Sequence, residues 1–143
     1  MRIFAAATLF AAMLAPLPAA AQQWYRINVS ALGVQYVDLD SIVPDGAVLR
    51  GSEFTVLRMK LGNGDFKYIA TVMQYDCKGR SVRLLTMEGF DAKNVSSGPF
   101  ADAEEDAFGP VEPGSPGAVA LDFVCGTDRS KGVAVTDPRK DKF

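Results

Sequence analysis

Two cysteines, Cys77 and Cys125, constrain the fold of this chain most, because they follow an N-terminal segment typical of an export signal. Two thiols delivered to an oxidising compartment are expected to form one disulfide. The bond would close a ring of roughly 49 residues, for which loop-closure entropy gives about 4 kcal/mol of stabilisation. The sequence has no Cys-x-x-Cys motif for redox exchange, and two isolated thiols without histidine do not make an ordinary zinc site. The cysteines therefore indicate architecture rather than chemistry.

The export signal covers residues 1–21. Arg2 is followed by twelve uncharged residues, 3–14, then by two prolines and three alanines, an order that predicts a secretory signal peptide cleaved after Ala21. The apolar run is shorter than the ~20 helical residues that cross a bilayer. The alternative is a first helix buried in the fold. The mature chain is therefore expected to begin at Gln22 and to be a periplasmic, cell-surface or extracellular protein without a transmembrane segment.

The composition of the mature chain, residues 22–143, limits its function. Its length suits one domain with a modest core. Without Arg2 it has 14 Lys and Arg against 17 Asp and Glu, a net charge of −3, which argues against a nucleic-acid partner. It has no histidine, the commonest general base and metal ligand. We therefore predict no catalytic residues, cofactor or metal site, and an enzyme is the least favoured class.

The first half of the mature chain alternates apolar and polar residues with a period of two, which is typical of half-buried strands. Strands are predicted over residues 24–30, 35–40, 48–61, 66–75 and 80–87. Turn sequences lie between them, notably Pro44-Asp45-Gly46 and Asn63-Gly64, which favours a tight hairpin. Short connections predict a single antiparallel β-sheet of about five or six strands. The polar residues 88–112 are predicted to form a surface excursion with one helical turn.

Residues 115–126 have the signals of a helix. Ser115 suits the N-cap, Pro116 the first helical position and Gly126 the left-handed residue past the end. A strand over residues 118–124 is the alternative, because valine and phenylalanine alternate there. The sequence thus predicts an α+β domain over residues 22–128, with a C-terminal helix packed on one sheet face and tethered by the disulfide. Residues 129–143 are predicted to be a flexible tail.

Several short motifs, taken in order, resemble the surface-adhesin protein E family of small exported bacterial proteins. They are Trp24, Tyr36-Val37-Asp38 with Ser41-Ile42, Tyr75-Asp76-Cys77 with Arg80 and Arg83, the residues 108–115, and Val124-Cys125. The resemblance spans about residues 24–126. It implies an antiparallel sheet with a disulfide-tethered helix, and an adhesin that binds host matrix and serum proteins and can dimerise. Two departures are the lack of a lipid-attachment cysteine and Phe108 in place of tryptophan, and no binding residues are carried over.

Other candidate sites have simpler interpretations. Asp38, Asp40 and Asp45 lack the glycine and closing glutamate of a calcium loop, so strand-edge and turn positions are favoured. The acidic run 102–106 could bind a cation or a basic partner, although a solvated surface is expected. Most of the aromatic residues are expected in the core. One or two of them exposed beside Arg26, Arg58 or Arg83 would form a recognition patch.

We therefore predict a non-enzymatic binding module that recognises a protein at the cell envelope or on a host surface. The alternative is a periplasmic small-molecule carrier or enzyme inhibitor that uses the concave sheet face. A flat patch of aromatic residues and arginine would favour the first function, and a deep apolar pocket would favour the second. An open sheet edge would also allow a homodimer.

Overall fold

The computed structural model describes residues 22–101 and 107–143. The predicted signal peptide and the acidic run 102–106 lie outside these residues. One antiparallel sheet dominates the described chain, in the order β6-β5-β4-β3-β2-β1-β8, with β7 paired to β5. Its strands are β1 (Trp24–Val29), β2 (Gly33–Asp45), β3 (Val48–Leu57), β4 (Tyr68–Asp76), β5 (Ser81–Phe90), β6 (Ser96–Ala101), β7 (Gly109–Pro110) and β8 (Val133–Val135). A single helix in the described part, α1 (Pro116–Val124), completes the domain.

The sheet has eight strands in the described chain, so the predicted number of five or six was wrong. The strands that the sequence analysis missed are β6, β7 and β8. The first two lie in the segment 88–112, where the described residues contain strands rather than a helical turn. Their Gly-Pro composition is atypical of strands, and they are defined by backbone pairing with β5 rather than by an apolar pattern.

Two predicted turns also differ from the structure. β2 continues through residues 41–45 with a register shift between Asp38 and Val43, and the chain turns at Gly46, whose φ is +64°. The connection from β3 to β4 is a ten-residue loop, 58–67, instead of a tight Asn-Gly hairpin. The strand pairing reaches Val56 and Tyr68, and one further backbone hydrogen bond joins the Leu57 N–H to the Lys67 carbonyl at 2.9 Å. Beyond it, Met59 and Leu61 are exposed.

The helix and its disulfide are confirmed. Ser115 caps α1 by accepting a hydrogen bond from the Ala118 N–H at 3.2 Å, and Gly126 has a φ of +74° just past the end. The strand alternative for this segment is therefore wrong.

The predicted disulfide is present: Cys77 and Cys125 are bonded, with their Cα atoms 5.7 Å apart. The bond ties the C-terminal end of α1 to the turn after β4. At nine residues, this described helix is far too short to cross a bilayer.

Each face of the sheet carries its own cluster of buried hydrophobic residues. On the helix side, α1 packs on Ile27, Val37 and Tyr75. On the opposite face, Val34, Tyr36, Phe54 and Val56 form a second cluster. We call this second face the helix-free face.

The last residues of the chain lie against the helix-free face, although they are predicted to be a flexible tail. β8 pairs with β1, placing Val135 opposite Trp24. Beyond β8, Asp141 bonds to Arg26 and Tyr36, and Pro138 is buried. The structure differs from the prediction because these contacts are tertiary: the partners of Asp141 lie more than 100 positions earlier in the chain. We call residues 136–143 the C-terminal strap.

Candidate binding surface

Three aromatic rings meet on the helix-free face. We call Trp24, Phe54 and Tyr68 the aromatic patch. The Trp24 and Phe54 ring centroids are 6.0 Å apart in an edge arrangement, and the Phe54 and Tyr68 rings stack at 5.6 Å. Strand register brings Phe54 and Tyr68 together: Phe54 pairs with Ala70 and Tyr68 pairs with Val56, so the two rings are diagonal neighbours on the same face. Phe54 forms the buried centre of the patch, while Trp24 and Tyr68 are partly buried.

An arginine from the C-terminal strap lies on this patch. The Arg139 guanidinium carbon is 4.4 Å from the Phe54 ring centroid and 5.6 Å from that of Tyr68. The Arg139 Nε–H also donates to Asn94 Oδ1 at 2.9 Å, which fixes the orientation of the guanidinium. Exposed cation–π contacts of this kind contribute about 0.5–1 kcal/mol each. Together, the rings and the guanidinium form the patch of aromatic residues and arginine that favours a recognition module.

A groove of about 310 Å³ runs beside the aromatic patch. Its floor carries the short side chains of Ser52, Ala70 and Val72. Trp24, Glu88 and Arg139 also line it, so it offers an aromatic ring, a carboxylate and a guanidinium. Glu88 accepts a hydrogen bond from the Ser96 hydroxyl of the neighbouring strand. Such a groove can accommodate a polypeptide segment with polar groups, since it combines apolar contact area with charges of both signs.

The C-terminal strap is anchored at Asp141. Its carboxylate lies 2.7 Å from the Arg26 guanidinium and accepts a hydrogen bond from the Tyr36 hydroxyl at 3.1 Å. The side chains of Arg26 and Asp141 are only 22% and 13% exposed, so solvent screens this pair less than a surface ion pair. Burial, together with the hydrogen bond to Asp141, raises the pKa of Tyr36. At the end of the chain, Arg58 lies 4.8 Å from the ring centroid of Phe143.

The helix side of the sheet contains a buried carboxylate, Glu53. The Tyr75 hydroxyl donates to its Oε1 at 2.5 Å and the Gln35 Nε2 donates to its Oε2 at 2.7 Å. Burial raises the pKa of Glu53, and the two hydrogen bonds partly offset that effect. The pKa of Tyr75 is raised by its own burial and by the charge of Glu53. Both carboxylate oxygens of Glu53 accept hydrogen bonds, from Tyr75 and Gln35. We call these three residues the Glu53 trio; their hydrogen bonds compensate the burial of a charge, and they leave no free oxygen to act as a base on a substrate.

A second groove, of about 240 Å³, opens on the helix side. We call it the helix-side groove. Its apolar lining includes Leu32, Leu57, Leu61, Ile69 and Pro116, and Gln35 also lines it. Gln35 Oε1 is buried and has no hydrogen-bond partner within the described residues. This groove is open to solvent rather than enclosed, in contrast to the deep pocket that would favour a carrier.

The arginines considered in the sequence analysis do not join the aromatic patch. Arg26 bonds to Asp141, Arg58 lies on Phe143, and Arg83 lies 5.2 Å from the Phe108 ring centroid. The arginine that does join it is Arg139, from the predicted tail. No local sequence signal identifies Arg139, because its position depends on how the C-terminal strap packs.

The aspartates considered for calcium do not converge. Asp38 is buried and accepts a hydrogen bond from the Asp40 N–H, whereas Asp45 accepts one from Gln74. In the described ranges, no three acidic, histidine or cysteine residues are grouped to hold a metal ion. The acidic run 102–106 lies outside those ranges.

A family model described as surface-adhesin protein E matches residues 24–126. The chain belongs to the surface-adhesin protein E family. The resemblance found in the sequence is thereby confirmed. Among solved structures, crystal form II of Haemophilus influenzae protein E is similar, with a TM-score of 0.58 and 14% sequence identity. The match covers 82% of this chain and 98% of that chain, and at this identity it shows a common fold.

No curated protein sequence matches the chain. The region matched by the surface-adhesin protein E family ends at residue 126. β8 and the C-terminal strap therefore lie beyond the family match, whereas Trp24, Phe54 and Tyr68 lie within it.

Proposed function

We propose that this member of the surface-adhesin protein E family is a non-enzymatic binding module, which recognises a protein at the cell envelope or on a host surface. The aromatic patch and its adjoining groove are the proposed contact surface. The observation that carries this proposal is the pair of partly exposed rings of Trp24 and Tyr68, both packed against Phe54 on the helix-free face. Tryptophan and tyrosine are among the residues that contribute most to protein–protein affinity.

Three further observations support the proposal. Membership of an adhesin family agrees with protein recognition and with a non-enzymatic role. The chain has no histidine, and the buried carboxylate of Glu53 is occupied by internal hydrogen bonds. The N-terminal residues 1–21 have the pattern of a signal peptide, so we place the binding module in the periplasm or at the cell surface.

The proposal is tested by capture with immobilised mature chain. Envelope extract and host matrix proteins are passed over the wild type, Tyr68→Ala and Ile69→Ala. Residues 68 and 69 are neighbours in β4, are both half-buried, and point to opposite faces of the sheet. We expect Tyr68→Ala to weaken capture by roughly tenfold or more, while Ile69→Ala retains it. Equal capture by both variants would show that the helix-free face is not the contact surface.

A small-molecule carrier is the second candidate, favoured by one observation. The buried acceptor Gln35 Oε1 in the helix-side groove has no partner in the described structure. A small apolar ligand with one hydrogen-bond donor would satisfy it, because the Gln35 Nε2 is already committed to Glu53. Indole and 1-methylindole, which lacks the N–H donor, are a matched pair of probes. Stronger binding of indole, lost in Ile69→Ala and retained in Tyr68→Ala, would favour the carrier.

A homodimer stays a prediction. The edges of the sheet are β6 and β8, and β8 is only three residues long. Sedimentation of the mature chain over a range of concentrations would detect association through these edges.

A further inference from the structure

The helix-free face already contacts a peptide, the C-terminal strap of its own chain. We infer that this face is a site for a peptide turn that presents an arginine followed two residues later by a carboxylate, and that the strap occupies the site as an internal ligand. The inference rests on the proposed function, since it assigns the chemistry of the partner and the regulation of the same surface.

The strap is a pre-ordered turn. Lys140 N–H donates to the Asp137 carbonyl at 3.0 Å, and Arg139 N–H donates to the Asp137 side chain at 2.9 Å. Pro138 lies at the second position of the turn, where its fixed φ is favourable, and it is buried. The polar side chains in and after the turn point in different directions. Those of Arg139 and Asp141 contact the sheet, whereas the side chain of Lys140 is 85% exposed to solvent.

The sheet supplies a complementary group for each of these two side chains. Phe54 and Tyr68 present ring faces to the Arg139 guanidinium, at 4.4 and 5.6 Å from the ring centroids. The Arg26 guanidinium and the Tyr36 hydroxyl both bind the Asp141 carboxylate. Arg26 and Tyr36 are paired across β1 and β2, and Tyr36 is paired with Phe54, so both subsites lie on adjoining strands of one face. The face therefore recognises a cation and an anion at a set spacing.

The strap must leave before a partner segment of the same chemistry can enter. It is tethered through β8, so it competes at the high local concentration of a linked ligand. The strap is held by the contacts of Arg139 and Asp141 and by the buried Pro138, while the Phe143 ring beside Arg58 is 47% exposed. A partner that presents the same turn makes with the sheet the contacts that the strap loses when it leaves. The exchange therefore conserves the number and kind of interactions on the sheet.

The test uses a labelled synthetic peptide with the sequence of residues 136–143, TDPRKDKF, and the full mature chain. The chain is either wild type or carries Arg139→Ala with Asp141→Ala, which releases the strap without shortening it. Fluorescence anisotropy should show the peptide binding the released chain at least about tenfold more tightly than the wild type, because the tethered competitor is gone. A chain with Lys140→Ala is the matched control, and it should behave as the wild type.

Peptide variants identify the recognised groups. Arg139→Ala and Asp141→Ala peptides should each bind the released chain roughly tenfold more weakly, while a Lys140→Ala peptide should bind as the unmodified one. If the released chain loses its near-UV circular dichroism, the wild type is titrated with excess peptide by NMR. Shifts should then appear at Arg26, Tyr36, Phe54 and Tyr68 for the unmodified and Lys140→Ala peptides only.

Two results would overturn the inference: no binding of the peptide to the folded released chain, or equal binding of all the peptide variants. The assay contains no envelope or host protein. Failure of capture together with success of this assay would therefore reject the proposed adhesin-like role and leave the peptide site intact.

Discussion

At the scale of single residues, the trio of Glu53, Tyr75 and Gln35 decides how the sheet tolerates a buried charge. Replacing Tyr75 by phenylalanine keeps the ring but removes the hydroxyl that donates to Glu53. We expect Tyr75→Phe to lower the free energy of unfolding by about 1–3 kcal/mol at neutral pH, since one oxygen of a buried carboxylate loses its donor. Urea unfolding measures the change. Tyr25→Phe is the control, because the Tyr25 ring packs on Phe123 and its hydroxyl makes no hydrogen bond within the described residues.

The protonation of Glu53 gives a second prediction, which concerns pH. Burial raises the pKa of Glu53 in the folded chain above its ordinary value of 4.5. The folded state therefore holds this proton more tightly than the unfolded state, and stability is lost as the pH rises from about 4.5 through the folded pKa. Glu53→Gln removes this titration, so the stability of the variant relative to the wild type should increase across that range. Urea unfolding of both proteins between pH 4 and 8 measures it, and a difference that does not vary with pH would contradict the assignment.

At the scale of the elements, the disulfide holds α1 on the sheet. The helix has only nine residues, too few to be stable alone in water, so its stability depends on packing and on the tether. Replacing Cys77 and Cys125 by serine should lower the free energy of unfolding by about 4 kcal/mol, from the loop-closure entropy of the ring. Amide hydrogen exchange should show α1 losing protection before β3 and β4. Unchanged protection of α1 in the double variant would show that the packing on Tyr75 and Val37 alone is sufficient.

The elements that bury side chains in a regular pattern could be predicted from the sequence. Strands β1 to β5 follow from apolar alternation, and α1 follows from Ser115, Pro116 and Gly126 as its boundary residues. Strands β6, β7 and β8 could not be predicted, because they are short or lie at the edge, and only their backbone hydrogen bonds define them. The loop 58–67 was not predicted because Met59 and Leu61 continue the apolar alternation of β3 in the sequence, although both side chains are exposed in the structure.

The candidate site was less predictable than the fold. The sequence led us to expect aromatic residues beside an arginine, and the structure has such a patch. Which residues form it depends on strand register, which the sequence does not show. The aromatic residues Trp24, Phe54 and Tyr68 are separated in the sequence. They come together only because β1 pairs with β2, β2 with β3, and β3 with β4. Arg139 and Asp141 carry no local pattern at all, since their partners are set by how the C-terminal strap crosses the sheet.

At the scale of the whole molecule, one sheet serves two purposes with its two faces. The helix side is closed by α1 and its disulfide, and it provides most of the core. The helix-free face is covered only in part, by a strap that lies beyond the region matched by the surface-adhesin protein E family. This division separates the stability of the domain from its proposed recognition surface, so substitutions at Tyr68 should affect binding more than folding.

Site-specific photo-crosslinking in cells that export the protein distinguishes the two faces of the sheet as contact surfaces. A benzoyl-phenylalanine is placed at Tyr68 on the helix-free face, or at Leu61, which is 41% exposed and lines the helix-side groove. We expect a discrete protein adduct from position 68 and none from position 61. An adduct from position 61 alone would place the contact surface on the helix side and overturn the proposed function.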